Sequence, residues 1–214
     1  MKLTLIGNGI MAQSLARGLI KNHEVEIIGR DIDKLKNIQE KMPQIKIKVL
    51  EDHEDITNKN VLFYVKPYAL QSVSARLTGN ANILLSILAG TKLETLRKQI
   101  KAKHYIRTMP NIAASVQNST TTITGDNEAK IIAMEIFSSI GQAIWVNTEN
   151  QLDIATAIAG SGPAYLALIA EALADGAVKA GLERHISTQL VQGLFSGTAS
   201  LLKHTHPAII KDSV

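Results

Sequence analysis

Short runs of branched apolar residues alternate with stretches of helical periodicity through the first part of this chain, and no other feature restricts its fold as much. Residues 3–6, 25–28, 45–49, 61–65 and 83–88 are such runs, bounded by turn-forming residues, and predict strands. Between the first two, Met11, Leu15 and Leu19 recur at helical spacing with Ala12 and Ala16 beside them, which predicts a helix over residues 11–21. Further helices are expected over 33–41, 68–77 and 93–101. Strand, helix and strand in succession imply right-handed crossovers, hence a mostly parallel sheet covered on both faces. Two later strands, 105–107 and 120–123, flank a turn-like segment, and a last strand over 143–146 follows a helix over 128–139.

After Asn150 the strand signal stops. Two helices stand out, 163–180 closed by Gly181 and 186–204 ended before Pro207. Ala167, Ala170, Ala172, Ala174, Gly193, Gly197 and Ala199 spread small residues over several faces of both. Helices apolar on most faces need cover on most sides, and too little chain remains to supply it. A second copy is the simplest cover, so a homodimer, or a higher assembly of dimers, is expected. The organisation read from this change is a domain over 1–150 and a helical one over 151–214. At the junction, Ala159-Gly160-Ser161-Gly162-Pro163-Ala164-Tyr165 reads as a helix N-terminus, with Pro163 at the first helical position and Gly162 or Ser161 as cap. Its free N–H groups would face an anion; the plainer reading is a tight helix-packing turn.

Composition removes several function classes. At 214 residues the chain can bury a substantial core in one or two domains. The net charge of +4 comes from Lys and Arg interleaved with Asp and Glu, which argues against a nucleic-acid or membrane-surface partner. The absence of cysteine excludes disulfides and thiolate catalysis, and a cytoplasmic location is expected. No metal site is expected, because His23, His53, His104 and His185 are scattered and the two-residue spacing of His204 and His206 does not suit one helix face. The apolar run at the start is too short for a signal peptide, and no stretch is expected to cross a bilayer.

Gly7-Asn8-Gly9-Ile10-Met11-Ala12 lies between the first strand and the first helix in the Gly-x-Gly-x-x-Ala pattern. Gly7 permits the tight turn, Gly9 lets the backbone approach a pyrophosphate, and Ala12 allows close helix packing, so a dinucleotide is the expected ligand. The second strand ends Ile28-Gly29-Arg30-Asp31. A small residue followed by Arg favours a ribose 2′-phosphate, although Asp31 and Asp33 stand close by.

Together with Val65-Lys66-Pro67, Ser86-Ile87-Leu88-Ala89-Gly90, Arg107-Thr108-Met109-Pro110-Asn111, Gly160-Ser161-Gly162-Pro163-Ala164-Tyr165, Glu171-Ala172-Leu173-Ala174-Asp175-Gly176 and Gly181-Leu182, the fingerprint makes a chain that resembles the pyrroline-5-carboxylate reductases throughout its length. The resemblance implies an α/β N-terminal Rossmann-type domain followed by an all-α C-terminal dimerisation domain. It implies NAD(P)H-dependent reduction of 1-pyrroline-5-carboxylate to L-proline, the last step of proline biosynthesis, with NADPH preferred and NADH the alternative. Ile6, Gly7, Asn8, Gly9, Ile10, Met11 and Arg30 would hold the adenosine and phosphates, and Val65, Lys66, Pro67, Ala89 and Gly90 would line the nicotinamide side. Glu149, Asn111, Ser161, Gly162 and Pro163 would bind the substrate, with Glu149 facing the ring nitrogen. No residue is assigned as an acid or base, since a protonated imine needs chiefly orientation and the exclusion of water.

Three departures from the family pattern bear on this. Relatives continue beyond a sequence like residues 206–214 into a Ser-Pro-Gly-Gly-Thr-Thr loop that binds the substrate carboxylate, so the helical domain is expected to be incomplete here. Tyr64 replaces the usual small residue before Val65-Lys66-Pro67, and His204 stands where several relatives carry a second acid. A catalytically silent dinucleotide-binding or sensor protein, and another Rossmann reductase such as a hydroxyacid dehydrogenase, are the competing readings.

Overall fold

The computed structural model describes residues Met1–Val214. The first half of the sheet is built by β1 (Lys2–Ile6), α1 (Ile10–Leu19), β2 (Glu24–Gly29), α2 (Ile32–Lys41) and β3 (Lys46–Val49). There follow β4 (Glu54–Asp55), β5 (Asn60–Phe63), α3 (Leu70–Ser74), β6 (Leu77–Thr78), β7 (Ala81–Ser86), α4 (Leu93–Gln99) and β8 (Ala102–Met109). The sheet is completed by β9 (Ser119–Gly125), α5 (Lys130–Ser138) and β10 (Gly141–Trp145).

Eight strands form one sheet in the order β10-β9-β8-β7-β5-β1-β2-β3. All neighbours pair parallel except β8 with β9, where Thr108 lies opposite Ile123. The expected strands are all present, and the mostly parallel sheet has the predicted cover on both faces. In β1, Leu3 and Leu5 enter the apolar cluster that contains Ala12, Leu15 and Leu19 of α1, whereas Ile6 enters the opposite cluster with Phe63 and Leu96. Each such side chain contributes about 1.5–3 kcal/mol on leaving water.

One expectation needs correction in this part. The helix over 68–77 is shorter: a 3-10 turn at Pro67–Ala69 leads into α3, and the chain leaves the helix after Ser74 so that β6 can pair with β4 in a separate two-stranded ribbon. Neither two-residue strand has an apolar alternation that a sequence could display.

Beyond β10, three residues lead into a further helix. Thr148 caps α6 (Glu149–Ala155) through a capping box with Gln151, and Leu152 is fully buried where α6 packs on β8 and β9. A π-helical segment, Thr156–Gly160, and the turn residue Ser161 then pass directly into α7 (Gly162–Lys179). Pro163 is therefore inside a helical run, and the expected free N-terminus at this point is absent. The run Glu149–Lys179, 31 residues, is long and apolar enough to cross a membrane by length and composition, which corrects the expectation that none would be.

The chain divides into two compact units, Met1–Pro163 and Ala164–Val214. The second contains the rest of α7, then α8 (Arg184–Leu201) and α9 (Pro207–Asp212), with Gly181 closing α7 in a left-handed conformation at φ 109°. Only Ala174 and Ser187 are buried in this unit, while Leu168, Leu190 and Leu194 are all more than half exposed.

Candidate active site

Strand order reverses between β1 and β5, and at their carboxyl ends the crossovers diverge to opposite sides, leaving a crevice. A cleft of about 530 Å³ occupies it, lined by Ile6 to Ala12, Ile28 to Arg30, and Tyr64 to Lys66, with Leu50, Tyr68, Ala69, Val73, Ile87 and Ile112. Gly7 turns the chain at φ 124°, and a Cβ there would stand 2.2 Å from the Tyr64 carbonyl oxygen, so only glycine lets β1 and β5 close up at this level. Gly9 precedes α1 with no side-chain cap and no acid in the first turn, and the first helical bond is donated by Gln13 to the Gly9 carbonyl at 3.0 Å. The helix thus keeps uncapped N–H groups at the mouth of the crevice, an arrangement suited to an anion.

Two buried side-chain atoms have no hydrogen-bond partner, Asn8 Nδ2 and the Tyr64 hydroxyl, and both belong to cleft residues. Asn8 lies against Gly29, where a Cβ would come within 2.7 Å of Nδ2. Burial pushes the Tyr64 hydroxyl far above its usual range, so it stays protonated; Thr108 works weakly in the opposite direction. Arg30 makes no ion pair. Its neighbour Asp31, in contrast, is committed as the cap of α2, accepting from the Lys34 N–H at 3.1 Å, and that bond holds its carboxyl below the usual range. The acid that clouded the sequence reading is engaged elsewhere. Exposed Ile10, Tyr68 and Ile112 rim the cleft with apolar surface. Uncapped N–H groups and a free guanidinium fit a phosphate-bearing dinucleotide.

Of the expected cofactor residues, Ile6, Gly7, Asn8, Gly9, Ile10, Met11, Arg30, Val65 and Lys66 come together here. Pro67, Ala89 and Gly90 are outside the lining: Pro67 opens the 3-10 turn that carries Tyr68, and Ala89-Gly90 lead toward α4.

Of the expected substrate residues, Asn111 follows β8 and Glu149 is tied to it through Arg107, whereas Ser161, Gly162 and Pro163 lie about 18 Å beyond Glu149 along the helical run, so the structure does not bring Glu149 together with those three. Asn111 is buried, and its polar atoms are occupied within the protein: Nδ2 donates to the Ala159 carbonyl at 2.8 Å, Oδ1 accepts from the Ala113 N–H, and its own N–H donates to Ser119 Oγ. The bond to Ala159 has a simple cause. In a helix that carbonyl would accept from the residue four places on, which is Pro163 and has no N–H to give. Asn111 supplies the missing donor, and the π segment absorbs the proline ring.

Glu149 is the first residue of α6 and no loose loop carboxylate. Its Oε1 accepts from Arg107 Nη1 and from the Leu93 N–H, each at 2.9 Å. Arg107, with 2% of its side chain exposed, also donates through Nη2 to Asp153 Oδ1 at 2.7 Å, and Asp153 Oδ2 accepts from Lys92 Nζ at 2.7 Å. The hydrogen bonds of Lys92 and then Arg107 hold the Asp153 carboxyl below its usual range.

Comparison with known proteins fixes the family. Residues 149–214 match a family described as pyrroline-5-carboxylate reductase dimerisation, and residues 2–90 match one described as NADP oxidoreductase, coenzyme F420-dependent. A pyrroline-5-carboxylate reductase of Synechocystis is 39% identical across the whole chain and 84% of its own length. The chain belongs to the pyrroline-5-carboxylate reductase family. Among solved structures of that family, the enzyme of Streptococcus pyogenes superposes with a TM-score of 0.86 at 28% identity, over all of this chain and 85% of its own. The enzyme of Plasmodium falciparum, determined with NADP bound, gives 0.82 at 26% identity, over all of this chain and 84% of its own. The Rossmann-type sheet and the helical C-terminal region expected from the sequence are both present.

Sequence reasoning missed Arg107, Asp153 and Lys92 as a cluster, and Tyr68 and Ile112 as cleft walls. One signal was available. Glu149 and Asp153 are four residues apart, which puts two carboxylates on one helix face toward a common cation; but α6 itself was not expected.

Proposed function

We propose that this chain reduces 1-pyrroline-5-carboxylate to L-proline, with a nicotinamide dinucleotide in the cleft between β1 and β5 and NADPH preferred over NADH. The observation that carries this reading is the cleft itself: uncapped N–H groups of α1 and an unpaired Arg30 line it where the family fingerprint lies. The bound cofactor supplies the hydride that adds to the imine carbon, while the nitrogen holds the proton that completes the secondary amine. Everything asked of the protein is positional. The start of α1 faces the pyrophosphate, Arg30 faces the 2′-phosphate, and Ile10, Tyr68 and Ile112 keep water from the rings. Val65 and Lys66 border the nicotinamide, with Pro67, Ala89 and Gly90 shaping the segments behind them. Ser161, Gly162 and Pro163 border the substrate; Glu149, with Oε1 engaged and about 18 Å earlier along the helical run, acts through the Arg107 cluster and not on the ring nitrogen. Asn111 acts through the Ala159 carbonyl that it fixes. The Ala164–Val214 unit joins a second copy, in keeping with the dimerisation family that it matches.

The test is incubation with the imine and NADPH while nicotinamide absorbance and proline are followed. Turnover of hydroxyacids alone, or tight cofactor binding without turnover of either substrate, would replace this reading with a competing one. Arg30→Ala should raise KM for NADPH by about tenfold or more, the scale of one charge-assisted hydrogen bond, and leave KM for NADH nearly unchanged. Equal effects on both cofactors would remove the phosphate role.

A further inference from the structure

The charged cluster around Arg107 is tied to both halves of the proposed site. Arg107 stands on β8 and forks to two acids one turn apart on α6, Glu149 through Nη1 and Asp153 through Nη2. The continuation of α6 carries Ser161, Gly162 and Pro163. On the other side, Leu93 and Lys92 bind the same two acids, so the segment that follows Ala89 and Gly90 is held by the same cluster. The continuation of β8 leads to Asn111, which fixes the Ala159 carbonyl. Three stretches that are distant in sequence meet in one cluster: the guanidinium on β8, the two acids on α6 that it binds, and Lys92 and Leu93, which bind those acids from the other side.

Stability alone does not account for this. A buried ion cluster is commonly no more stabilising than apolar residues of the same volume. What a guanidinium adds is a planar fork that fixes distance and angle between the groups it binds, which a point charge on a flexible stem does not. We propose that Arg107 is a positioning residue for the reduction, setting the spacing between the nicotinamide-side segment 89–93 and the substrate-side segment 159–163. The proposal rests on the reading of this chain as an imine reductase. Arg107 itself contacts neither reactant; it acts through Glu149, Asp153 and the backbone of Leu93.

Arg107→Lys keeps the charge and loses the fork, and Asp153→Asn is a milder change on a part-exposed side chain that weakens one arm. Both are to be compared with wild type in steady-state kinetics, NADPH binding, urea unfolding and backbone hydrogen exchange. Arg107→Lys should lower kcat by about tenfold or more, since sub-ångström misplacement of reactants is costly, while the NADPH dissociation constant stays near that of wild type because α1 and Arg30 are untouched. Exchange should accelerate in 89–93 and 159–163 together and remain unchanged in β1 and β5. Asp153→Asn should repeat the pattern at smaller amplitude. An unchanged kcat in a folded variant overturns the proposal, as does exchange that accelerates uniformly or in one segment only. Should wild type fail to reduce the imine, the functional reading falls, while paired exchange at the two segments still decides whether the clamp exists.

Discussion

At the scale of single residues, the cleft combines positions whose chemistry is local with positions whose partners are remote. Gly7 and Gly9 belong to the first kind: their purpose follows from the strand before them and the helix after them, so six consecutive residues announce the crevice. Arg30 was half legible. The sequence offered the cation and the nearby acid together, and only the fold shows Asp31 turned back onto the Lys34 N–H as a helix cap. Tyr64 belongs to the second kind, because nothing beside it in sequence says that its hydroxyl ends without a partner. An unpaired buried hydroxyl costs about 1–3 kcal/mol. Tyr64→Phe removes that cost while keeping the ring, so the cofactor-free protein should gain about 1 kcal/mol, read as a higher urea midpoint at constant slope. A lower midpoint would show that the hydroxyl has a partner in solution. Arg107 was illegible for the plainest reason: its acids lie 42 and 46 residues further along the chain.

Among elements, the run from α6 to α7 departs most from what its sequence suggests. Gly160-Ser161-Gly162-Pro163 contains residues that ordinarily start helices, and Pro163 is well suited to a first turn. Propensity is overridden here by tertiary structure. Leu152 anchors α6 against the sheet, a π segment takes up the proline ring, and Asn111 replaces the lost N–H. This explanation makes the two side chains thermodynamically dependent on one another. Asn111→Ala leaves the Ala159 carbonyl without a donor and should cost about 1–3 kcal/mol. In a Pro163→Ala background the residue at 163 regains an N–H that can serve that carbonyl, so the same Asn111 substitution should cost distinctly less. A double-mutant cycle in urea measures the coupling. Additive effects would mean that Asn111 holds the segment for some other reason. The strands were more legible than this run because consecutive burial on a two-sided parallel sheet writes itself as unbroken apolar runs, whereas a helix interruption is specified by a contact from another strand.

For the molecule as a whole, the decisive quantity is apolar surface that one copy leaves in water. In the Ala164–Val214 unit two buried residues cannot make a core, yet α7 and α8 present Leu168, Leu190 and Leu194 more than half exposed. The composition foretold this: small and branched residues on several faces of a helix require neighbours, and within Ala164–Val214 only Ala174 and Ser187 have enough of them to be buried. A lipid layer could cover the run on length alone, but Glu171, Asp175 and Lys179 interrupt α7 at a spacing that would place charge in hydrocarbon. A second copy offers both apolar cover and polar partners. Each leucine moved from water into such an interface contributes about 1.5–3 kcal/mol, and a stable interface of about 1,600 Å² needs several of them. The wild-type protein should therefore sediment as two or more copies at micromolar concentration, and its thermal midpoint should rise with concentration, as linkage requires of a folded state held by association. Leu190→Glu should shift the mass toward a single copy and abolish that concentration dependence. NADPH binding should survive, since the cleft is built from residues of the first unit alone. A monomeric wild type, or a Leu190→Glu variant with unchanged mass, would mean that something other than a second copy covers these helices.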